Sequence, residues 1–229
     1  MSRRLGPAVV FLALVAALAL LASAGALSRS PQAKEKAKAQ PKAPNIPEGT
    51  QTTRDLRYGP HQERNTLDLY VPKSDTPLPL VIWVHGGGWQ NGSKDGNNPA
   101  MQLLKSGYAV ASINYRLSQH AVFPAQIEDC KAAVRLLRAN AKKYNLNPDA
   151  FGAWGASAGG HLVALLGTSG EVKELEGEVG ESKDTSSRVQ AVVDFYGPTD
   201  LTKMAAMSGP NSQLDHDSPN SPESKLLGG

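Results

Sequence analysis

The sequence predicts an α/β fold in which a mostly parallel sheet is flanked by helices. Short, almost entirely apolar runs, such as 78–84, indicate strands that are covered on both faces. Segments with apolar residues at helical spacing, such as 124–141, lie between these runs. The resulting order of elements, β-β-β-α-β-α-β-α-β, is typical of a sheet that is parallel after an antiparallel edge. The 229 residues are enough for one sizeable domain.

The amino terminus has the layout of a targeting segment. Arg3 and Arg4 precede a long apolar run, and small residues follow at 22–26. Residues 1–27 are therefore predicted to be a secretory signal peptide, which implies a secreted or periplasmic protein. An uncleaved anchor formed by residues 5–27 is the alternative, and only that anchor would bring the protein to a membrane.

Residues 28–50 are rich in Lys, Ala and Pro, which predicts a solvated linker with too few apolar groups for a core. The folded domain is therefore predicted to span 51–229. The net charge of +3 is unevenly distributed, because residues 1–49 hold seven Lys or Arg and two Glu, which leaves −2 for residues 50–229. No nucleic-acid partner is expected, because this domain lacks a basic surface.

Two patterns define the predicted strands. Alternating apolar and polar residues early in the domain indicate half-buried antiparallel strands, and the later apolar runs indicate central strands. The strands are predicted at 56–58, 65–71, 78–84, 108–114, 151–154 and 189–196. Helices are predicted from Pro99, from Pro124 and directly after Ser157, and a further helix is predicted to begin at Ser221.

Several residues are predicted to have structural roles. Cys130 is the only cysteine, so no intrachain disulfide can form, and its place on the apolar side of a predicted helix indicates packing. Arg116 and Asp129 are expected to form an ion pair between a loop and that helix, with a direct substrate role as the alternative. Trp83 and Trp154 lie in apolar strands and are expected in the core.

The segment Gly155-Ala156-Ser157-Ala158-Gly159 joins an apolar strand to an apolar helix. A serine at the apex of such a tight turn needs neighbours without bulk, and the helix behind it points backbone N–H groups toward the serine. Ser157 is therefore predicted to be a nucleophile. The alternative is an ordinary serine in a packing turn rich in Gly and Ala.

A second Gly-rich segment, His85 followed by glycines at 86–88, comes directly after a buried strand. Backbone without side chains can approach a substrate oxygen closely. This loop, together with the N–H of Ala158, is predicted to form an oxyanion hole. The adjacent Trp89 is predicted either to bind substrate or to pack in the core.

Five motifs occur in a consistent order: HGGGW at 85–89, NYRLS at 114–118, FPAQIEDCKAAVR at 123–135, GASAGGH at 155–161 and DFYGPTD at 194–200. Together they resemble the α/β-hydrolase superfamily, and within it the bacterial carboxylesterases of the hormone-sensitive-lipase-like and feruloyl/acetyl-esterase types. The resemblance implies that Ser157 is the nucleophile and that Gly87, Gly88 and Ala158 donate to the oxyanion. It also implies cleavage of carboxylic esters with no metal or organic cofactor.

No residue of the sequence is assigned as the catalytic acid or the catalytic base. The resembling fold orders its triad as Ser, then Asp or Glu, then His, on loops after later strands, whereas a single strand is predicted after Ser157. His161 and His216 are minor candidates for the base, and the resemblance implies that His161 steadies the oxyanion loop instead. Asp200 is a minor candidate for the acid, with a structural role implied by the resemblance.

The simplest interpretation of this departure is a domain that lacks the last strands of the fold, with the acid and base beyond residue 229. A serine without a base is a poor nucleophile, so little turnover is expected from this chain alone. The expected substrate is a small acyl ester, either free or as an acetyl or feruloyl group on polysaccharide. A serine peptidase and a non-catalytic binding domain with an incomplete triad are the alternatives.

Overall fold

The computed structural model describes residues 46–170, 172–210, 212 and 214–229. The predicted signal peptide and most of the predicted linker lie outside the described residues. Among the helices within those described ranges, none has both the length and the apolar character that crossing a bilayer requires.

The described part of the chain contains a six-stranded mixed sheet. Its strands, in chain order, are β1 (Gln51–Arg57), β2 (Thr66–Val71), β3 (Leu78–Val84), β4 (Ala109–Ile113), β5 (Leu146–Ala156) and β6 (Ala191–Phe195). Their spatial order is β1-β2-β4-β3-β5-β6. The β1–β2 and β2–β4 pairs are antiparallel, whereas the pairs that join β4, β3, β5 and β6 are parallel. This arrangement confirms the predicted α/β fold with an antiparallel edge.

Within the described ranges, four α-helices accompany the sheet: α1 (Ala125–Ala139), α2 (Ala158–Thr168), α3 (Met204–Met207) and α4 (Pro222–Leu227). The helix predicted from Pro99 is a 3-10 helix, Pro99–Ser106, and two shorter 3-10 helices occupy Lys173–Leu175 and Leu201–Lys203. The predicted start at Ser221 is confirmed, because the Ser221 side chain caps α4 by accepting a hydrogen bond from the Ser224 N–H.

Strand β5 is longer than the apolar run at 151–154 that predicted it. The strand begins at Leu146, which pairs with Leu78 on β3, and the Leu78 N–H donates to the Asn145 carbonyl at 2.9 Å. The residues at 147–149 are polar or proline and are partly exposed, so they interrupt the apolar pattern without interrupting the strand. Pairing with β3 therefore decides where β5 begins.

The sheet separates two apolar clusters, because successive residues of a strand point to opposite faces. Ile82 on β3 packs in the larger cluster with Ile127 on α1 and Leu162 on α2. Trp83, its neighbour on β3, packs in the smaller cluster with Trp154, and their rings meet edge to face at 5.8 Å. Both tryptophans are buried, as predicted.

The structure confirms the structural roles predicted for two residues of α1, Cys130 and Asp129. Cys130 is buried in the larger cluster, and burial raises the pKa of its thiol, so it is an inert packing residue. Asp129 is fully buried and forms an ion pair with Arg116, with 2.9 Å between Oδ1 and Nη2. The Arg116 backbone N–H also donates to Asp129 Oδ2 at 2.7 Å, which confirms the expected link between loop and helix.

The sheet ends at β6, whose residues are all exposed. Val192, Val193 and Phe195 present between 37% and 45% of their surface to solvent. Within the described ranges, β6 pairs with β5 alone, so its other edge carries no strand. Open apolar edges of this kind favour association between chains.

Glycines allow α2 to approach the sheet very closely. A Cβ on Gly159 would lie 2.1 Å from the Val84 carbonyl oxygen at the end of β3. A Cβ on Gly155 would lie 2.2 Å from the Gly159 carbonyl oxygen. Both distances are too short for real atoms, and both involve backbone that cannot rotate away. The junction between β5 and α2 therefore requires glycine at both positions.

We expect Gly155→Ala to lower the free energy of unfolding by about 3 kcal/mol, the upper range for an overpacked site. Gly152→Ala on the same strand is the matched control, because a Cβ there meets its nearest atom at an ordinary 3.6 Å. Urea unfolding followed by circular dichroism measures both variants. Equal stabilities for the two alanine variants would contradict the close approach.

Candidate active site

Ser157 occupies the turn between β5 and α2 with φ 56° and ψ −123°. A non-glycine residue with positive φ is uncommon, and such conformations cost about 1–3 kcal/mol. Two backbone hydrogen bonds hold it: the Ser157 N–H donates to the Phe195 carbonyl at 2.9 Å, and its carbonyl accepts from the His161 N–H at 3.0 Å. Among the described residues, no hydrogen bond involves its hydroxyl. The serine is thus held in a strained turn with a free Oγ.

The loop after β3 packs against this turn through backbone alone. A Cβ on Gly86 would lie 2.7 Å from the Ala156 carbonyl oxygen. Gly87 and Gly88 both have positive φ, 117° and 58°, and a Cβ on Gly87 would lie 2.3 Å from the Asn91 carbonyl oxygen. The glycines are therefore required for the shape of the loop as well as for its closeness to Ser157.

The N–H groups of Gly87, Gly88 and Ala158 are available as donors, because none of them donates to a protein acceptor within the described part of the chain. All three residues and Ser157 border one cavity of about 470 Å³. Free N–H groups that share a cavity with a hydroxyl nucleophile are the donors that an oxyanion needs.

His85 anchors the start of the loop and is 5% exposed. Its Nε2 lies 3.2 Å from Arg64 Nη2, and its Nδ1 lies 2.8 Å from the Gly86 carbonyl oxygen. Because a guanidinium can only donate, Nε2 must accept, and the single proton of the neutral ring is on Nδ1. The ring also stacks on Tyr115 with 4.4 Å between centroids. Burial, aided by the Arg64 charge, lowers the pKa of His85 from 6.5 to about 4.

Trp89, predicted either to bind substrate or to pack in the core, borders the cavity but is only 1% exposed. Its indole N–H donates to His161 Nδ1 at 3.2 Å, and the two rings meet at right angles. His161, on α2, thereby steadies the Gly-rich loop after β3, in line with the structural role that the family resemblance implied for it. The bond also makes His161 Nδ1 an acceptor, and burial lowers the pKa of this histidine. Substrate contact by Trp89 stays a prediction.

His216, a minor candidate for the base, borders the same cavity as Ser157. Its Nδ1 lies 3.1 Å from Glu223 Oε1, and the side chains are 10% and 8% exposed. Sequence analysis missed Glu223, because its partner is seven residues away across an irregular segment. It also missed Tyr196, which follows β6 with φ 48° and borders the cavity with most of its ring exposed.

Asp200, the minor candidate for the acid, has a local structural role. Its carboxylate accepts hydrogen bonds from the Thr202 N–H and hydroxyl and pairs with Lys203 at 3.1 Å, which caps the short 3-10 helix that follows. These contacts lower the pKa of Asp200. Asp194 also closes a turn, because its Oδ1 accepts from the Gly197 N–H at 2.8 Å. The described residues include no cluster of side chains suited to a metal ion.

The buried neutral His85 predicts a specific pH dependence of stability. Between pH 6.5 and about 4 the unfolded chain binds a proton at this position and the folded chain does not. Stability from this residue is therefore fully present above pH 6.5 and falls with pH, by about 3 kcal/mol in total. His85→Asn, whose amide can replace Nδ1–H, should show a shallower dependence in urea unfolding across this pH range.

The comparison of slopes isolates His85, because both proteins keep Asp68 and Glu176, whose ion pairs lower their carboxyl pKa values. Parallel stability curves for the wild-type chain and His85→Asn would contradict the neutral, buried state of this histidine.

Several proteins of known sequence or structure are similar to this chain. Esterase LipQ of Mycobacterium tuberculosis is 37% identical over 160 residues, which cover 68% of this chain and 37% of LipQ. A solved structure described as a bifunctional GH43-CE of Bacteroides eggerthii is 40% identical with a TM-score of 0.67, over 78% of this chain and 26% of that one. A truncated form of a carbohydrate esterase from gut microbiota is 35% identical with a TM-score of 0.67, over 80% and 68% of the two chains.

The chain therefore spans little more than a third of the length of the curated relative LipQ. The model of the BD-FAE family matches residues 67–229, a range that contains the Gly-rich loop after β3, Ser157 and the His216–Glu223 pair. Together with the sheet order and the strained serine turn, this match shows that the chain belongs to the BD-FAE family of α/β-hydrolase esterases.

Proposed function

We propose that this domain belongs to a serine carboxylesterase and hydrolyses small acyl esters through Ser157. The observation that carries the proposal is the strained Ser157, with a free hydroxyl, on the same cavity as three free backbone N–H groups. Relatives named as esterases support the ester class. Because the chain spans only part of those relatives, the activity is proposed for the protein that contains this domain.

The geometry of the cavity supports the following reaction. Ser157 Oγ attacks the ester carbonyl carbon, and the carbonyl oxygen becomes an oxyanion directed at the N–H groups of Gly87, Gly88 and Ala158. Each well-aimed donor of this kind contributes roughly 3 kcal/mol to the stabilisation of the transition state. Collapse of the tetrahedral species expels the alcohol and leaves an acyl group on Ser157, which water then removes. No metal or organic cofactor takes part in these steps.

The proposed substrates are acetyl or feruloyl esters on carbohydrate. Two observations support this class. The similar solved structures include a bifunctional GH43-CE and a carbohydrate esterase. The cavity of about 470 Å³ is in the usual size range for small-molecule sites and has room for a short acyl group next to a sugar ring.

Transfer of the Ser157 hydroxyl proton to a base is the step that the described residues support least. Of the histidines in the described ranges, His216 alone borders the cavity, and it makes no hydrogen bond to Ser157 Oγ. His85 and His161 are committed to the loop contacts described above. We therefore expect slow turnover from the chain itself.

Hydrolysis of 4-nitrophenyl acetate tests the proposal. We expect a slow rate that Ser157→Ala lowers roughly 10²-fold or more, because the proposed route passes through covalent attack by this serine. Ser106→Ala is the matched control, since Ser106 is exposed on a 3-10 helix remote from the cavity lining. The anilide 4-nitroacetanilide should not be cleaved.

A rate on 4-nitrophenyl acetate that is the same in the wild-type chain and in Ser157→Ala would overturn the nucleophile assignment. It would favour the non-catalytic binding domain instead. Faster cleavage of the anilide than of the ester would favour a serine peptidase.

A further inference from the structure

Among the described residues that border the Ser157 cavity, His216 and Glu223 form a buried polar pair that the proposed reaction does not use. Both side chains border the cavity, and each is nine-tenths buried. Apolar neighbours, including Leu214 and Pro222, form the adjoining wall. A polar pair placed in a largely apolar wall is the usual means by which a small-molecule site orients its ligand.

The contact between the two residues fixes the state of the imidazole. Glu223 Oε1 lies 3.1 Å from His216 Nδ1, and a carboxylate can only accept, so the Nδ1 proton is directed at Glu223. The other ring nitrogen, Nε2, is then an acceptor in the neutral ring. Among the described residues it has no hydrogen-bond partner.

Glu223 leaves a second polar atom without a partner. Its Oε2 is buried and makes no hydrogen bond. A buried polar atom without a partner costs about 1–3 kcal/mol, so Oε2 is an unusual feature of a protein wall. When the ring is neutral and Glu223 is ionised, Nε2 and Oε2 are both acceptors, and they call for a ligand that brings donors. Hydroxyl groups are the donors that an uncharged ester substrate can supply.

We propose that His216 and Glu223 form the subsite for the alcohol half of the substrate and select alcohols that carry a free hydroxyl beside the ester. The inference rests on the proposed function and deepens it. An acetyl group contains no hydrogen-bond donor, so for an acetyl ester the donor must come from the alcohol. His216 Nε2 accepts from that hydroxyl, and Glu223 is a positioning residue that holds the ring in the accepting tautomer.

Two esters that differ by a single hydroxyl test this subsite: 1,2-cyclohexanediol monoacetate and cyclohexyl acetate. Binding is measured in the Ser157→Ala background, so that neither ester is consumed, by NMR titration of the His216 ring signals. We expect the hydroxylated ester to bind about tenfold more tightly, the effect of one net hydrogen bond. Equal dissociation constants, or no binding of either ester, would overturn the subsite.

Three further substitutions in that background locate the preference. His216→Phe keeps a planar ring without nitrogens and should abolish the preference, with backbone amide shifts replacing the lost ring signals. Glu223→Gln keeps the shape of the carboxylate and should weaken the preference. Asp217→Asn is the matched control, because it removes an exposed carboxylate next to His216 in sequence that does not border the cavity. The subsite is excluded if His216→Phe retains the full preference.

This experiment separates the two proposals. A hydroxyl preference that depends on His216 would support the subsite even if Ser157-dependent hydrolysis is absent. Ser157-dependent hydrolysis with equal affinities for the two esters would leave the esterase proposal intact and remove the subsite. Circular dichroism of each variant establishes that the fold is present before its affinities are compared.

Discussion

The close approach of backbone to backbone at the carboxyl ends of β3 and β5 is the constraint on which the rest of the site depends. Gly159 places the first turn of α2 against the Val84 carbonyl, and Gly155 leaves room for that turn. Gly86 brings the loop after β3 onto the same turn. With three segments this close, Ser157 can connect β5 to α2 only through a left-handed conformation. The position of its hydroxyl on the cavity is a consequence of packing.

The parallel part of the sheet explains why these groups meet. Parallel strands end at one edge, so the loops after β3, β5 and β6 gather there. The loop after β3 supplies Gly87 and Gly88, the turn after β5 supplies Ser157, and Tyr196 follows β6 at the border of the cavity. The Ser157 N–H donates a hydrogen bond to the Phe195 carbonyl at the end of β6, so this outermost strand also helps to hold the strained turn between β5 and α2.

Local pattern predicted those parts of the molecule that depend on local sequence. Glycine spacing located the strained turn at Ser157 and the Gly-rich loop after β3, and apolar runs located the strands. The residues at 147–149 look like a loop, so the sequence did not predict that β5 begins before them. Pairing with Leu78 on β3 decides where β5 begins. The acid candidate Asp200 proved to be a helix cap, a role that depends on the adjacent Thr202 and Lys203.

Contacts between distant residues were harder to predict. Trp89 and His161 are 72 positions apart, and their hydrogen bond was anticipated only as a general steadying role for His161. The His85–Arg64 contact joins the Gly-rich loop after β3 to a turn before β2, and no pattern in either segment indicates the other. The pairing of His216 with Glu223 depends on the path of an irregular segment. Sequence pattern can identify such side chains as polar, but only the fold specifies their partners.

The central claim is that the fold sets Ser157 apart from the other serines as the nucleophile of the proposed reaction, and covalent labelling tests it most directly. The chain is treated with a fluorophosphonate in buffer and again in urea, and the modified residue is identified by peptide mass spectrometry. The account predicts a single adduct on Ser157 of the folded chain, formed faster than on any other serine, and its loss in urea. Labelling of the folded chain at another hydroxyl, or equal labelling of Ser157 in the folded and unfolded chains, would contradict it.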